Sequence, residues 1–454
     1  MLRAADARQA IRYIEDAIRW ATEAGDPVMA GVAQCYLGDA FNYDNQLAHA
    51  IAELRAGVAM LEALSPEAWE RTATPRVNVI SVADARSLLA WTLAKVGAYV
   101  EALHLLGVTL DDAAAALDKM SYFGRFSIFF LATALGRPDV AKRAHETIRH
   151  VADVRALATT LSAFLYNTVL PYHADDHAFR EGIADKAEQS WTRAQEMGLV
   201  EAFPVRAVRF PLDFVAGAWD AALTLAPAAR RLGVPFWSRG AITLGTIALL
   251  QGEPGTAWRY MREELPEGAA TAPGTLRFLE GLSLVHLGGR IALDADDLDM
   301  AREWAEASKR WLDWSGAVRG QSEGQALWAQ YHRQSGDTEQ AHEHAERALA
   351  HATEPRQPLA LLAAHRLLGE LDTDAGRHEY AARYLAESLD IADACQAPYE
   401  RALTLLAMAA LRAAQGASDE AHRLLDEVKS ICAPLGAKPT LARADGLAAR
   451  LTSG

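Results

Sequence analysis

The chain has 454 residues, a formal charge of −14 and three cysteines. It is long for one globular domain but suits an architecture that grows by stacking. Its acidic balance, with no basic cluster beyond Arg230-Arg231, argues against nucleic acid or an anionic membrane as a direct partner. Cys35, Cys395 and Cys432 lie far apart without ligand spacing and read as reduced core thiols of a cytoplasmic protein. No apolar run is long enough to span a bilayer, and the N-terminus lacks a signal-peptide layout.

Apolar residues recur at helical spacing nearly throughout, and no strand alternation stands out. From the start, Asp6 to Ala17 has the pattern of the second helix of a hairpin, with Ala10 and Ile14 on its inner face and no first helix before it. Such a half-unit leaves an apolar flank that an upstream segment or an oligomer contact would cover, with Ile11, Ile14 and Ile18 as the contact. Next, Tyr36-Leu37-Gly38 is followed by Phe41, Ala50 and Leu54. A loop with Ser65-Pro66 leads to helices over Val82 to Val96 and Tyr99 to Thr109, marked by Gly97, Ala102 and Leu106. A further pair turns at Gly136 with Ala141 on its second helix. Val151 to Gly198 is a divergent unit whose helices separate near Pro171-Tyr172-His173.

The pattern resumes with Gly217 and Ala222, then Gly245, Gly252, Ala257 and Met261, then Gly281 and Gly288. Counted from Gly288, the register slips before Gly336, which predicts an eight-residue insertion in a turn spanning Gly289 to Asp299. From Ser322 to Val428 the spacing is strict: Gly336, Gly376 and Gly416 stand 40 residues apart, each followed five residues on by Ala341, Ala381 or Ala421. Thr440 to Leu451 reads as a terminal capping helix.

Leu368-Gly369, Gly376, Ala381 and Leu385 occupy the places of a tetratricopeptide repeat, which the chain resembles at this fixed period. Asp372 stands where that repeat carries an aromatic, so the copy is degenerate. The fold class expected is all-α, a tetratricopeptide-like α-solenoid: a right-handed superhelix of about ten helix hairpins. Residues 1–200 hold the N-terminal repeats, starting on an unpaired second helix, and residues 201–454 the C-terminal repeats with their capping helix, in one continuous solenoid.

Local runs carry a more specific likeness. They are Leu232-Gly233-Val234-Pro235-Phe236-Trp237, Ala257 to Leu265, Arg366 to Leu371 with the Ala-rich Leu403 to Leu411, and Leu435 to Ala444. From about Arg206 onward the chain resembles the C-terminal repeat region of bacterial signal-transduction ATPases, the large ATP-binding LuxR-type regulators and related adenylate/guanylate cyclases. The resemblance implies a sensor arm in which repeats detect an inducer or partner and restrain an upstream ATPase module. The chain departs from that layout: it has no G-x-x-x-x-G-K-[ST] phosphate loop and no basic recognition helix after Leu435.

In tetratricopeptide superhelices the first helix of each pair lines the concave groove. Counting back from the turns puts Tyr43, Trp91, Phe123, Phe126, Phe130 and Phe278 on groove places. Aromatics there suit a protein or peptide partner, a small-molecule inducer or a stacked sugar; the same rings equally suit the core between neighbouring hairpins. His173-Ala174-Asp175-Asp176-His177 has two histidines at metal-ligand spacing, but an aspartate capping the next helix accounts for it more simply. Asp294 to Asp299 lacks the glycine of a calcium loop and reads as an acidic turn with helix caps. His342, His344 and His351 read as surface residues. No nucleophile, base or cofactor motif emerges, so the expected function is non-catalytic and cofactor-free: ligand or partner sensing in the groove, or, as the alternative, a free-standing adaptor holding a peptide or helix.

Overall fold

The computed structural model describes residues 4–71, 80–149, 154–199, 205–232 and 236–453. It is all-α, with no strand among the described residues. A lone helix, Ala4–Glu23, is followed by ten helical hairpins and a final helix, Lys438–Ser453. The first three hairpins are Pro27–Tyr43 with Leu47–Glu62, Val82–Val96 with Tyr99–Leu106, and Tyr122–Ala134 with Pro138–Arg149. In the fourth, Val154–Phe164 runs through a π-helical turn, Leu165–Val169, into Leu170–His173 before the return helix His177–Glu196. The fifth and sixth are Phe210–Val215 with Trp219–Leu232 and Phe236–Leu250 with Pro254–Glu264. The last four are Phe278–Asp294 with Leu298–Ser315, Gln321–Ser335 with Thr338–Thr353, Pro358–Asp374 with His378–Ala394, and Pro398–Ala414 with Ser418–Leu435.

The hairpins form for local reasons. Gly376 turns at φ +72, a conformation costly for a residue with a Cβ, and ends the first helix of its pair. At Gly369 the two helices touch: an added Cβ would meet the Leu385 side chain at 2.6 Å, and Ala381 alongside is fully buried. Small residue against large is therefore the packing rule within a hairpin. Many helix starts are capped by side chains, including Asp26, Ser81, Ser121, Asp176, Asp297 and Asp337.

Asp372, the departure from the repeat pattern, is 2% exposed. Its carboxylate accepts from Arg377 Nε at 2.7 Å and faces His342 Nε2 at 3.2 Å. An ion pair thus fills the aromatic's place. His342, His344 and His351 are half-buried rather than surface residues; the His344 ring stacks on His332 (centroids 5.3 Å apart, 7° between planes).

Two expected boundaries move. The first helix of hairpin 7 runs unbroken through Gly288 and Gly289 to Asp294, and the turn falls at Asp296 (φ +54). The predicted insertion does not exist. Gly288 is glycine because the Trp304 ring packs 2.6 Å from where its Cβ would be, and Gly289 faces Leu327 in the same way. In hairpin 4 the helices separate at Ala174–Asp176, just beyond the Pro171–His173 stretch. Residues 233–235, part of one run quoted for the family likeness, lie outside the described residues.

The hairpins wind tightly, and successive turns of the superhelix touch. The turns of hairpins 2 to 6 meet the start of the helix five hairpins later, and the turn of hairpin 1 is joined to the start of hairpin 7, where Arg277 Nε donates to Asn45 Oδ1 at 3.2 Å. Gly97 of hairpin 2 abuts Phe278 of hairpin 7, and Gly136 of hairpin 3 abuts Val318, just before hairpin 8. Asp175 of hairpin 4 pairs with Arg356, 181 residues on, just before hairpin 9 (2.7 Å). Gly217 of hairpin 5 abuts Pro398 of hairpin 10, and Gly252 of hairpin 6 abuts Pro439 of the final helix. Backbone bonds enter this seam too: Val318 and Arg319 N–H both donate to the Ala134 carbonyl, at 2.9 and 3.0 Å.

At the N-terminal end the lone helix packs on the first helix of hairpin 1, with Ile11, Ile14 and Ile18 half-buried and Tyr13 and Trp20 more than half exposed. The final helix packs on the second helix of hairpin 10 and leaves Ala442, Arg443, Asp445 and Arg450 outward.

Candidate binding groove

The first helix of hairpin 2 packs on the first helices of hairpins 1 and 3, the three helices that the sequence pattern expects to line the N-terminal part of the groove. Trp91, from hairpin 2, is the hub: its ring lies 5.7 Å from Phe123 and 5.7 Å from Phe126 of hairpin 3, centroid to centroid. Tyr122 meets Phe126 edge-on at 4.9 Å. Such tilted and edge-on pairs are favourable beyond the area they bury. Trp91 and Phe126 are nearly buried, at 9% and 6% exposed, whereas Tyr43, Phe123 and Phe130 keep part of each ring accessible.

Phe278 stands apart. It is the first residue of its helix, fully buried between Gly97 and Tyr99 on one side and Trp311 on the other. Its expected groove place depends on a turn at Gly288; with the turn at Asp296, it falls in the seam instead. The structure therefore brings Trp91, Phe123 and Phe126 into direct contact and sets Phe130 close by.

A polar cluster lies beside these rings. Lys95 Nζ sits 3.4 Å above the centre of the Trp91 ring and donates to Asn42 Oδ1 at 2.8 Å. Burial drives the Lys95 ammonium well below its ordinary pKa; the neighbouring Arg277 guanidinium pushes the same way, and Asp39 and Glu280 oppose it. Burial likewise pushes the Asp39 carboxyl up to about 6, against the pull of Lys95 and a bond from Asn42. Lys95, Tyr99, Phe130, Asn167, Arg277 and Glu280 enclose a cavity of about 10 Å³, room for one water.

The sequence pattern holds a signal for this cluster that a count of aromatic rings passes over. The phase that puts Tyr43 and Trp91 on the inner face also puts Asp39, Asn42 and Lys95 there, but charged residues on a helix ordinarily read as solvated.

The other candidates resolve locally. Asp176 accepts from the Phe179 amide at 3.0 Å and caps its helix, His173 meets the Phe179 ring edge-on, and His177 points to solvent. Asp297 caps the second helix of hairpin 7 through the Met300 amide. Cys35, Cys395 and Cys432 are buried thiols, pushed up in pKa by that burial. Among the described residues no group of three or more His, Cys, Asp or Glu could hold a metal, and no helix is long and apolar enough to cross a membrane.

No protein-family model matches the chain, and no curated protein matches it at a significant level. Several solved structures are similar in fold. One is a Signal Transduction ATPase with Numerous Domains protein with a tetratricopeptide repeat sensor from Pyrococcus horikoshii: 11% identity, 88% of this chain and 62% of that chain covered, TM-score 0.41. This chain thus spans less than two thirds of that protein. A second is a Rap protein complexed with Competence and Sporulation Factor: 10% identity, 82% and 98% covered, TM-score 0.37. A third is the APC/C hetero-tetramer Cut9-Hcn1: 12% identity, 97% and 96% covered, TM-score 0.33.

Proposed function

We propose that this superhelix is the ligand- or partner-sensing arm of a bacterial regulatory protein, a transcriptional regulator or a cyclase, and that it acts by binding rather than by catalysis. What supports the reading is the contact cluster of Trp91, Phe123 and Phe126, with Phe130 close by, where part of Phe123 and Phe130 stays accessible, at the places where the sequence pattern puts the groove. Apolar rings held at partial exposure on a concave surface suit an occupant that a core would not leave room for. Binding there would favour one curvature of the stack, and that bias would reach an attached ATPase module or a second copy through the N-terminal end. An upstream module is implied by the sequence resemblance alone.

The test is a screen of apolar metabolites and short peptides by tryptophan fluorescence and thermal shift. Binders of the groove should lose about tenfold or more in affinity in Phe123→Ala. They should be unchanged in Val100→Asp, a position 78% exposed outside the inner face. Binding indifferent to Phe123 would overturn the groove assignment. A peptide binder, with no phosphate loop in the reading frame upstream of Met1, would favour the free-standing adaptor.

A further inference from the structure

The two ends of the superhelix are finished differently. At the C-terminal end the last helix, Lys438–Ser453, turns Ala442, Arg443, Asp445 and Arg450 outward, a largely polar surface. At the N-terminal end the lone helix, Ala4–Glu23, packs on the first helix of hairpin 1, with Ala7 and Ala10 buried and Ile11, Ile14 and Ile18 half-buried. Another face of it stays open. Gln9, Tyr13, Asp16, Trp20 and Glu23, spaced by four and three residues, form one row along the helix. Tyr13 is 63% and Trp20 61% exposed, the two most exposed aromatic rings among the described side chains. The sequence pattern expects the three isoleucines to make the end contact; the structure half-buries them and leaves these rings outward. Large rings set outward in one row mark a contact surface.

The charges beside the rings say what fits there. Arg12 and Arg19 run alongside the row, and Asp16 and Glu23 lie within it. Consider two copies of this helix laid antiparallel, with a twofold axis between Ala17 and Ile18. Arg12 of each copy then faces Glu23 of the other, and Asp16 faces Arg19. Each Trp20 comes within about 3 Å, along the helix axis, of the other copy's Tyr13. A parallel pair would instead set Arg12 against Arg12 and Arg19 against Arg19. The face is therefore complementary to itself in the orientation that a twofold contact imposes. Arg19 holds Asp16 of its own chain at 2.6 Å, but the two side chains are 58% and 39% exposed, so both keep accessible surface for a facing copy.

We propose that the chain forms a twofold dimer through this face, with Trp20 of each copy against Tyr13 of the other and Arg12 against Glu23. One helix face is small beside a standard interface, so the dissociation constant should fall at about 1–100 µM. The use of this dimer as the outlet of a sensing superhelix rests on the function proposed above; its existence does not.

Sedimentation equilibrium of the full chain between about 1 and 300 µM tests it, and the parent should pass from monomer to dimer over that range. Trp20→Glu should weaken association about tenfold or more. Arg12→Glu should weaken it about fivefold, because the twofold axis sets two carboxylates against each other twice. Arg12→Glu/Glu23→Arg should return it to within about twofold of the parent. Arg12, Trp20 and Glu23 are all exposed, so the variants should melt with the parent. A parent that stays monomeric would overturn the proposal. Trp20 shielded from acrylamide in that monomer would assign the face to a segment of the same polypeptide, and Trp20 open to it would assign the face to a different protein. A dimer indifferent to Trp20→Glu, or not restored by the charge exchange, would overturn it as well. A dimer that behaves as expected while no groove binder exists would leave the dimer standing and the sensing function without support.

Discussion

Arg180 and Cys395 lie 215 residues apart, yet the guanidinium of one donates to the backbone carbonyl of the other at 2.9 Å. Arg180 occupies a buried position on the second helix of hairpin 4, just past the turn. It reaches across the seam because the superhelix returns to it after five hairpins. Removing the side chain as Arg180→Met leaves two buried carbonyls, of Ala174 and Cys395, without this donor. The expected cost is about 1–3 kcal/mol. It should appear locally, as faster exchange of amides near 395–397, because a long stack need not unfold in one step.

Two turn glycines separate the cost of the backbone from that of the seam. Gly376 (φ +72) has nothing within 4 Å of where a Cβ would be, so Gly376→Ala should cost only the left-handed conformation, about 1–2 kcal/mol. Gly97 (φ +94) faces the Phe278 ring, 2.5 Å from an added Cβ. Gly97→Ala should cost about 1–3 kcal/mol more through overpacking. Denaturant midpoints of the two variants, compared at one pH, check this. Equal shifts would mean that Phe278 does not rest on Gly97 in solution.

A hairpin such as Gly369 to Leu385 is legible in sequence because its turn glycine, small residue and large residue fall within one short stretch. The seam is not, because it depends on rotation accumulated over five hairpins, and no local pattern records that sum. Gly288 misleads for a different reason. A glycine that makes room for Trp304 inside a helix looks, in sequence, like one that ends a helix; the turn there is made by Asp296, whose side chain advertises nothing. That one misplacement carries Phe278 from the seam into the expected groove. On the expected groove face, counting from true turns places Trp91, Phe123 and Phe126 together, as their ring contacts have them, and the polar cluster escapes because lysine and aspartate are usually solvated.

Acid should loosen the stack through its buried histidines. His145 stacks on Phe164 (4.1 Å, 4°) and is pushed down to about 3 by burial, with Arg149 adding to it; His286, beside Ser308, is pushed down to about 4 by burial and Arg290. Each folded-state value lies below the ordinary value of 6.5, so the unfolded chain binds the proton first. Their contribution is complete above pH 6.5 and is lost as pH falls toward 4 and then 3. Asp39 works in reverse: its raised value, about 6, means that the folded state takes up a proton first and regains stability on acidification from 6 toward 3.8. The histidines should prevail, since His145 is only 2% exposed and each tenfold loss of proton affinity on folding is worth about 1.4 kcal/mol. His145→Phe should flatten the fall in melting temperature between pH 6.5 and 4, and an unchanged slope would remove His145 from the account.

At Asp372 the ion pair that replaces an aromatic should behave as a coupled unit. Both its strong contacts are charge-assisted: Arg377 on the same hairpin's turn and His342 on the preceding hairpin. Asp372→Ala strips a 2%-exposed carboxylate from a guanidinium that is itself about half exposed, so water takes over Arg377 while the vacated site stays buried. The expected loss is about 1–3 kcal/mol, set by the cavity and the lost bonds rather than by a stranded cation. Arg377→Ala alone should cost more than a surface pair warrants, because it leaves the buried carboxylate with only His342. The double variant should therefore lie well below the sum of the two, a coupling of about 1 kcal/mol or more on a denaturation-based cycle. Strict additivity would mean that the carboxylate is hydrated in solution, and the missing aromatic would then be a plain loss of packing.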